Sequence, residues 1–312
     1  MSEYGIPYMG SKAKHIERFG FVFPKAEHFY DVFGGGFAVS HYMLARRFNH
    51  YSFFHYNEIR KGMGSLISKA INGEYSYKKF KMPWISREEF FAKKETDPFI
   101  KTIWSFGNNG KNYLFSKEIE SYKRSLHECV VFDLFDETTK KITGLSAWPD
   151  AITTKGKRLF IRNRIAWMNR GMRAGELQQL QQLQQLERLQ QLEQLERLQQ
   201  LEHKGLKQKL VFHEGDYRDI RFEKNCVIYC DPPYKGAAEY DDDFNHNEFL
   251  EWAHSQTCPV FISEYKIDDP RFPLILEWKT KSLLSSNGQT SATERLYGNK
   301  AAFEHNRLNS KA

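Results

Sequence analysis

The stretch HFYDVFGGGFAVSHYMLARRF, His28 to Phe48, decides the fold. Its first six residues are apolar or aromatic around one aspartate, the length and composition of a buried strand. Gly34, Gly35 and Gly36 then permit a tight turn and a close backbone approach to a ligand. From Ala38 to Phe48 the chain returns to a pattern that reads as a helix. Strand, glycine turn and helix form the opening unit of a doubly wound sheet. The chain repeats that alternation: 51–56, 209–212, 226–229 and 259–263 read as further buried strands, and 61–71 and 248–255 as helices. The expectation is an α/β fold.

Two segments break the alternation. From 86 to 175 it fades into aromatic and polar turns such as Trp104-Ser105-Phe106-Gly107-Asn108-Asn109-Gly110, which reads as an inserted, mostly helical domain. From Leu177 to Leu201 every third residue is leucine, nine in all, separated by strong helix formers. A helix about 38 Å long follows at about 1.5 Å per residue. A three-residue period steps each leucine back by about 60° on an α-helix, so the leucines wind around the rod and a plain dimeric coiled coil is disfavoured. The repeat reads as a helical spacer or insertion, with a partner-binding helix as the alternative. The expected division is 1–85 and 206–312 for the two parts of the sheet domain, 86–176 for the insert and 177–205 for the repeat helix.

The 312 residues are 40% hydrophobic and 15% aromatic, which suits a globular chain. Lys and Arg outnumber Asp and Glu by 46 to 39, a balance that favours polyanionic partners. The excess is local. Lys155, Lys157, Arg158, Arg162, Arg164, Arg170 and Arg173 lie within 151–175, a segment with no acidic residue, and the rest of the chain is balanced at 39 of each sign. Interleaved Phe160, Trp167 and Met168 point to a segment packed on one side and facing phosphates on the other; a solvated helix face is the alternative. No run approaches the roughly 18 apolar residues of a membrane span, and 1–20 lacks a secretory apolar segment, so a cytoplasmic protein is expected. Cys129, Cys226, Cys230 and Cys258 lack paired Cys-x-x-Cys spacing and read as reduced buried thiols, with no structural metal.

Chemistry concentrates at the strand ends. Asn57-Glu58 closes the second strand some twenty residues after the glycines, where a carboxylate can accept from ribose hydroxyls; a surface glutamate is the alternative. Asp231-Pro232-Pro233-Tyr234 follows the 226–229 strand. Prolines lack ladder donors, so the chain leaves the sheet there in a rigid shape. A carboxylate, freed carbonyls and an aromatic ring can hold a planar base bearing an exocyclic amine. Asp216, in Gly215-Asp216-Tyr217, could serve a ligand or cap a turn.

In this order, Tyr8-Met9-Gly10-Ser11-Lys12, the Phe33 glycine loop, Asn57-Glu58, Gly215-Asp216-Tyr217 and Asp231 to Tyr234 resemble the motifs of the Dam-type, alpha-group DNA N6-adenine methyltransferases of bacteria and phages. Ser285-Ser286-Asn287-Gly288 is similar to a segment near that family's C-terminus. Ser11 and Phe37 depart from it, standing where glycine is usual. The resemblance implies a Rossmann-like sheet that uses S-adenosyl-L-methionine, with the insert as target-recognition domain. It implies cofactor contacts from Tyr8, Gly10 and Lys12 at the methionine end, Phe33 and Gly35 as cradle, Glu58 at the ribose and Asp216 at the adenine amine. Asp231 and the Pro232 carbonyl would accept the N–H bonds of an adenine flipped out of double-stranded DNA, with Tyr234 stacking on it. Of the insert's basic residues, Lys157, Arg158, Arg162, Arg164, Arg170 and Arg173 would contact DNA; Asn108 and Asn109 read either as part of a base-reading hairpin, since asparagine can pair bidentately with adenine, or as a structural turn. The alternatives are an RNA base methyltransferase, which can also use such a turn, and a non-catalytic DNA-binding relative.

Overall fold

The computed structural model describes residues 3–76, 79–148, 153–168, 187–234, 244–282 and 290–309. The chain forms two compact units, one from Met1–Gly5, Ser11–Gly64 and His203–Ala312, the other from Ile6–Gly10 and Ser65–Glu202.

The first unit is built on a seven-stranded sheet of β1 (His28–Asp31), β2 (Phe53–Asn57), β3 (Leu210–His213), β4 (Cys226–Cys230), β5 (Val260–Glu264), β6 (Leu274–Ser282) and β7 (Thr290–Gly298). Their order is β3-β2-β1-β4-β5-β7-β6. The first five are mutually parallel and are the five strands expected from the sequence; β7 runs antiparallel to both its neighbours. β6 and β7 carry charged residues among their apolar ones, as at Glu277, Lys279 and Lys281, so no apolar run marks them. The chain steps outward from β1 to β2 to β3, then returns to place β4 on the other side of β1. Where the order reverses, the crevice outside the carboxyl ends of β1 and β4 is the ligand position of such sheets.

Aromatic packing fixes this sheet. Phe29, Phe54, Tyr229 and Phe261 are fully buried, with Phe23 edge-on to Phe261 at 5.0 Å and Phe19 stacked on Trp278 at 5.2 Å. Burial of each such ring contributes about 1.5–3 kcal/mol. In a second cluster, Tyr30, Ile228, Val260 and Ile262 meet Phe249 and Ala253 of the helix His246–Ser255. Beside Tyr30 runs a row of imidazoles across β1, β2 and β3. His28 Nδ1 is 3.0 Å from His55 Nε2, and His55 Nδ1 is 3.0 Å from His213 Nε2. The Tyr30 ring stacks on His55 at 4.0 Å. Burial pulls His55 down to about 3 and lowers His213, so both are neutral near pH 7.

The cysteine expectation is corrected. Cys226 and Cys258 form a disulfide with Cα atoms 5.8 Å apart. The cause is register: Ile228 pairs with Val260, so the residues two positions earlier on the adjacent chains face each other. Cys129 and Cys230 are free and buried.

The second unit is helical, with Arg87–Lys93, Pro98–Ile103, Lys117–Phe132, Glu137–Thr143, Thr154–Met168, Glu187–Arg197 and Gln199–His203 among its described residues. Its helix starts are legible. Ser86 Oγ accepts from Glu89 N, Asp97 Oδ1 accepts from Phe99 N and Ile100 N ahead of Pro98, and Asp136 Oδ1 accepts from Thr139 N. Trp104, fully buried, packs edge-on against Trp84.

Where it is described, the leucine repeat is helical and its leucines are buried. Leu192, Leu195, Leu198 and Leu201 are at most 1% exposed. Leu198 N donates to Leu195 O at 3.1 Å and Leu201 N to Leu198 O at 3.0 Å, three-residue bonds at the joint between two helices. Such winding has 3.0 residues per turn, so it aligns a three-residue repeat on one side. The earlier positions, 177–186, lie outside the described residues.

Candidate active site

The glycine turn after β1 is held from several directions. Gly34 N donates to Asn57 O at 2.9 Å, and a Cβ at Gly34 would stand 2.3 Å from the Tyr56 ring. Tyr56 Oη donates to Gly35 O at 2.6 Å, and Gly35 N donates to Glu58 Oε2 at 2.8 Å. Glu58 Oε1 accepts from Arg60 N, so this buried carboxylate anchors the turn. Asn57 Nδ2 donates to Val32 O and Gly215 O, which ties the ends of β1 and β2 to the loop after β3. Phe37 adopts the left-handed conformation, φ +66, that a glycine would take without strain. The cost of about 1–2 kcal/mol is offset because the ring is fully buried, edge-on to Tyr56 at 5.5 Å. Ser11 caps a short turn, its Oγ accepting from Ala13 N. Phe33 is half-buried beside Tyr217, Phe244 and Phe249.

Asp31 ends β1 and opens the glycine stretch. Its Oδ2 accepts from Ser40 N at 3.1 Å and Ser40 Oγ at 2.7 Å, while Oδ1 is buried with no hydrogen-bond partner among the described residues. Burial pushes its carboxyl up to about 7, against the Ser40 bonds; the Asp231 and Glu58 carboxylates add to the rise.

Asp231 leaves β4 one strand away. Its Oδ1 lies 2.8 Å from Lys12 Nζ, and that ammonium sits 4.5 Å from the centre of the Tyr234 ring. Burial raises the Asp231 carboxyl pKa and Lys12 opposes the rise. Pro232 is buried, and Tyr234 packs edge-on to Tyr265 at 4.6 Å. Glu294 of β7 adds another buried carboxyl whose charge Lys12 moderates. It escaped the sequence reading because β7 has no apolar run. The structure thus brings Lys12, Phe33, Gly35, Glu58, Asp231, Pro232 and Tyr234 to the sheet's ligand-binding end. Asp216 caps the turn at Tyr217 and is paired with Arg218 at 2.7 Å, which in turn meets Glu248. Tyr8 and Gly10 fall in the Ile6–Gly10 segment of the other unit, and Gly10 has φ +77.

The expected DNA-contacting residues divide. Arg158 is 5% exposed and pairs with Glu193 at 2.5 Å, Lys157 pairs with Asp133, and Arg164 Nε donates to Thr143 O at the end of a helix. These three serve the insert's own packing. Arg162 and Lys155 are exposed; Arg170 and Arg173 lie outside the described residues. Asn108 and Asn109 build their loop: Asn108 Nδ2 donates to Thr102 O and to Gln191 Oε1, and Asn109 Oδ1 accepts from Lys111 N and Asn112 N. Phe106 on that loop is 64% exposed.

Among the described residues no group of three or more His, Cys, Asp or Glu could hold a metal ion, and no helix is long and apolar enough to cross a membrane. No curated protein matches the chain. The family described as D12 class N6 adenine-specific DNA methyltransferase matches residues 8–261, across both parts of the sheet and the insert between them. With the glycine turn and the Asp231 turn side by side at the point where the strand order reverses, and the match spanning most of its length, the chain belongs to the D12 class of N6 adenine-specific DNA methyltransferases.

Proposed function

We propose that the chain transfers the methyl group of S-adenosyl-L-methionine to the N6 amino group of an adenine flipped out of double-stranded DNA. The carrying observation is the place of Asp231: it follows β4, adjacent to the glycine turn after β1, in the crevice where such sheets bind ligands. The residues present fit this cofactor. Asp31 Oδ1 is a buried acceptor without a donor among the described residues, and Phe33 offers an aromatic wall. When bound, the cofactor supplies an electrophilic methyl group on a sulfonium.

Phe33 and Gly35 would form the cradle, and Glu58, whose carboxylate also anchors Gly35 and Arg60, would accept from the ribose. Asp31 would accept from the ammonium of the methionine end, which Lys12 also borders. Asp216 retains one acceptor position on Oδ2 for the adenine amine beside its Arg218 pair. Asp231 and the Pro232 carbonyl would each accept an N–H of the target amine, localising the nitrogen lone pair that the ring otherwise withdraws. Burial makes Asp231 a stronger proton acceptor, which suits an amine that loses a proton on methylation. Flipping costs a few kcal/mol; stacking on Tyr234, about 1–3 kcal/mol, and a charged hydrogen bond, about 1.5–3 kcal/mol, offset it. Exposed Arg162, Lys155 and Phe106 support a DNA-facing role for the insert.

Asp231→Ala should abolish methylation while cofactor binding persists. Because that variant removes the Asp231 contact of the Lys12 ammonium, Asp231→Asn, which keeps the shape, accompanies it. Methylation by either variant at the wild-type rate would remove Asp231 from the mechanism.

A further inference from the structure

Lys12 occupies the two groups that the proposed chemistry needs. Its ammonium is 2.8 Å from Asp231 Oδ1 and 4.5 Å from the centre of the Tyr234 ring, where the target amine and the adenine ring are to bind. The ammonium must therefore withdraw before adenine can be seated. A buried cation does not move away from its counter-ion without a second anion to receive it.

Glu294 offers that anion. It stands on β7 opposite Trp278 of β6, and its residue is 8% exposed. Oε2 is buried with no hydrogen-bond donor among the described residues, and Oε1 is 3.8 Å from His15 Nε2. The charged and titratable groups acting with Glu294 are Lys12, Arg18, His15, Asp231, Tyr229, Tyr234 and Tyr265. Arg18 is exposed and donates to Lys279 O at 3.1 Å. His15 is pulled down to about 4 by burial and by Lys12, so it carries no charge near pH 7. His15 N donates to Lys12 O at 2.8 Å, so the turn that carries Lys12 also reaches Glu294, and Lys12 is the buried cation whose charge acts on both Asp231 and Glu294.

We propose that Glu294 is a positioning residue, the second seat of the Lys12 ammonium, and that the transfer of Lys12 from Asp231 toward Glu294 opens the adenine pocket. The inference rests on the methyl-transfer reading above. Lys12 has three N–H donors, so a seat on Glu294 leaves it able to serve the cofactor's carboxylate as well. The unfilled Oε2 is the acceptor that this movement satisfies.

The test compares wild type, Glu294→Gln and Glu294→Asp with S-adenosyl-L-methionine and unmethylated duplex DNA, measuring kcat, cofactor Kd, DNA Kd and Tm. Glu294→Gln keeps the volume and removes the charge. It should lower kcat about ten- to hundredfold while both Kd values stay within about twofold and Tm does not fall. Glu294→Asp, which retains the charge, should recover kcat to within about fivefold of wild type. A wild-type kcat in Glu294→Gln would overturn the proposal. So would a kcat loss that follows a fall in Tm and is not restored by aspartate, because that pattern marks a structural carboxyl. If Glu294→Gln does not fold, Glu294→Asp decides alone, a loss of about a hundredfold overturning the proposal. Failure of the underlying reading looks different: wild type itself would then transfer no methyl group to adenine.

Discussion

Gly34→Ala isolates the geometry of the glycine turn from its conformational freedom, because Gly34 is not among the positive-φ residues. An added Cβ would stand 2.3 Å from two atoms of the Tyr56 ring and 3.3 Å from Asn57 O. Ordinary carbon contacts lie near about 3.5–4.0 Å, so the ring must retreat by more than 1 Å. Tyr56 has nowhere to go: it is fully buried, edge-on to Phe37 and Phe212, and its Oη donates to Gly35 O at 2.6 Å. Overpacking costs about 1–3 kcal/mol and a broken buried hydrogen bond a further 1–3 kcal/mol, so about 2–6 kcal/mol of stability should be lost. Urea unfolding at pH 7.5 measures this, and titration calorimetry with S-adenosyl-L-methionine should show affinity reduced at least about tenfold through displacement of Gly35. Tyr56→Leu removes the obstructing ring, so the double variant should be more stable than the sum of the single effects requires. A Gly34→Ala protein within about 0.5 kcal/mol of wild type, with unchanged cofactor affinity, would refute the reasoning.

The imidazole row makes stability sensitive to acid. His55, at about 3, and His213 bind protons less readily folded than unfolded, so their contribution is complete above the unfolded value of 6.5 and is lost as pH falls below it. Each can add up to about 1.4 kcal/mol per pH unit to the slope, and equal urea midpoints at pH 7 and pH 5 would contradict this. Leu198→Ala should cost about 2–5 kcal/mol, as expected for a fully buried leucine, whereas an exposed spacer would change by less than about 0.5 kcal/mol in urea unfolding. The basic residues should separate by phenotype. Lys155→Ala with Arg162→Ala should reduce the slope of log DNA affinity against log salt by about 1–2 without loss of stability. Arg158→Ala should destabilise the protein by about 1–4 kcal/mol, because buried Arg158 is the partner of the half-buried Glu193, and an altered slope at unchanged Tm would refute that role.

The parallel part of the sheet was legible because its strands are buried on both faces and appear as short apolar runs between glycine and proline signals. Asp231 was legible for a related reason: two prolines after such a run can only be an exit from the sheet. What the sequence concealed depends on tertiary partners. β6 and β7 mix charged and apolar residues, and Glu294 is hidden with them. The Cys226–Cys258 pair follows from the β4–β5 register, which no spacing rule encodes. The leucine period announced a helix, but not the burial of Leu192, Leu195, Leu198 and Leu201 nor the three-residue bonds at the joint between two helices. A run of seven cations looked like one surface, yet Lys157 and Arg158 meet acids at positions 133 and 193, far away in the sequence. The loop hydrogen bonds of Asn108 and Asn109 were likewise not visible in the sequence, where a structural turn and a base-reading hairpin read alike.

The most direct measurement incubates the purified chain with methyl-labelled S-adenosyl-L-methionine and unmethylated double-stranded DNA, then digests the product to nucleosides. All label should appear in N6-methyladenine, with none when RNA replaces DNA or when Asp231 is asparagine. Label on RNA or on cytosine, or no transfer by a folded protein, would contradict the account.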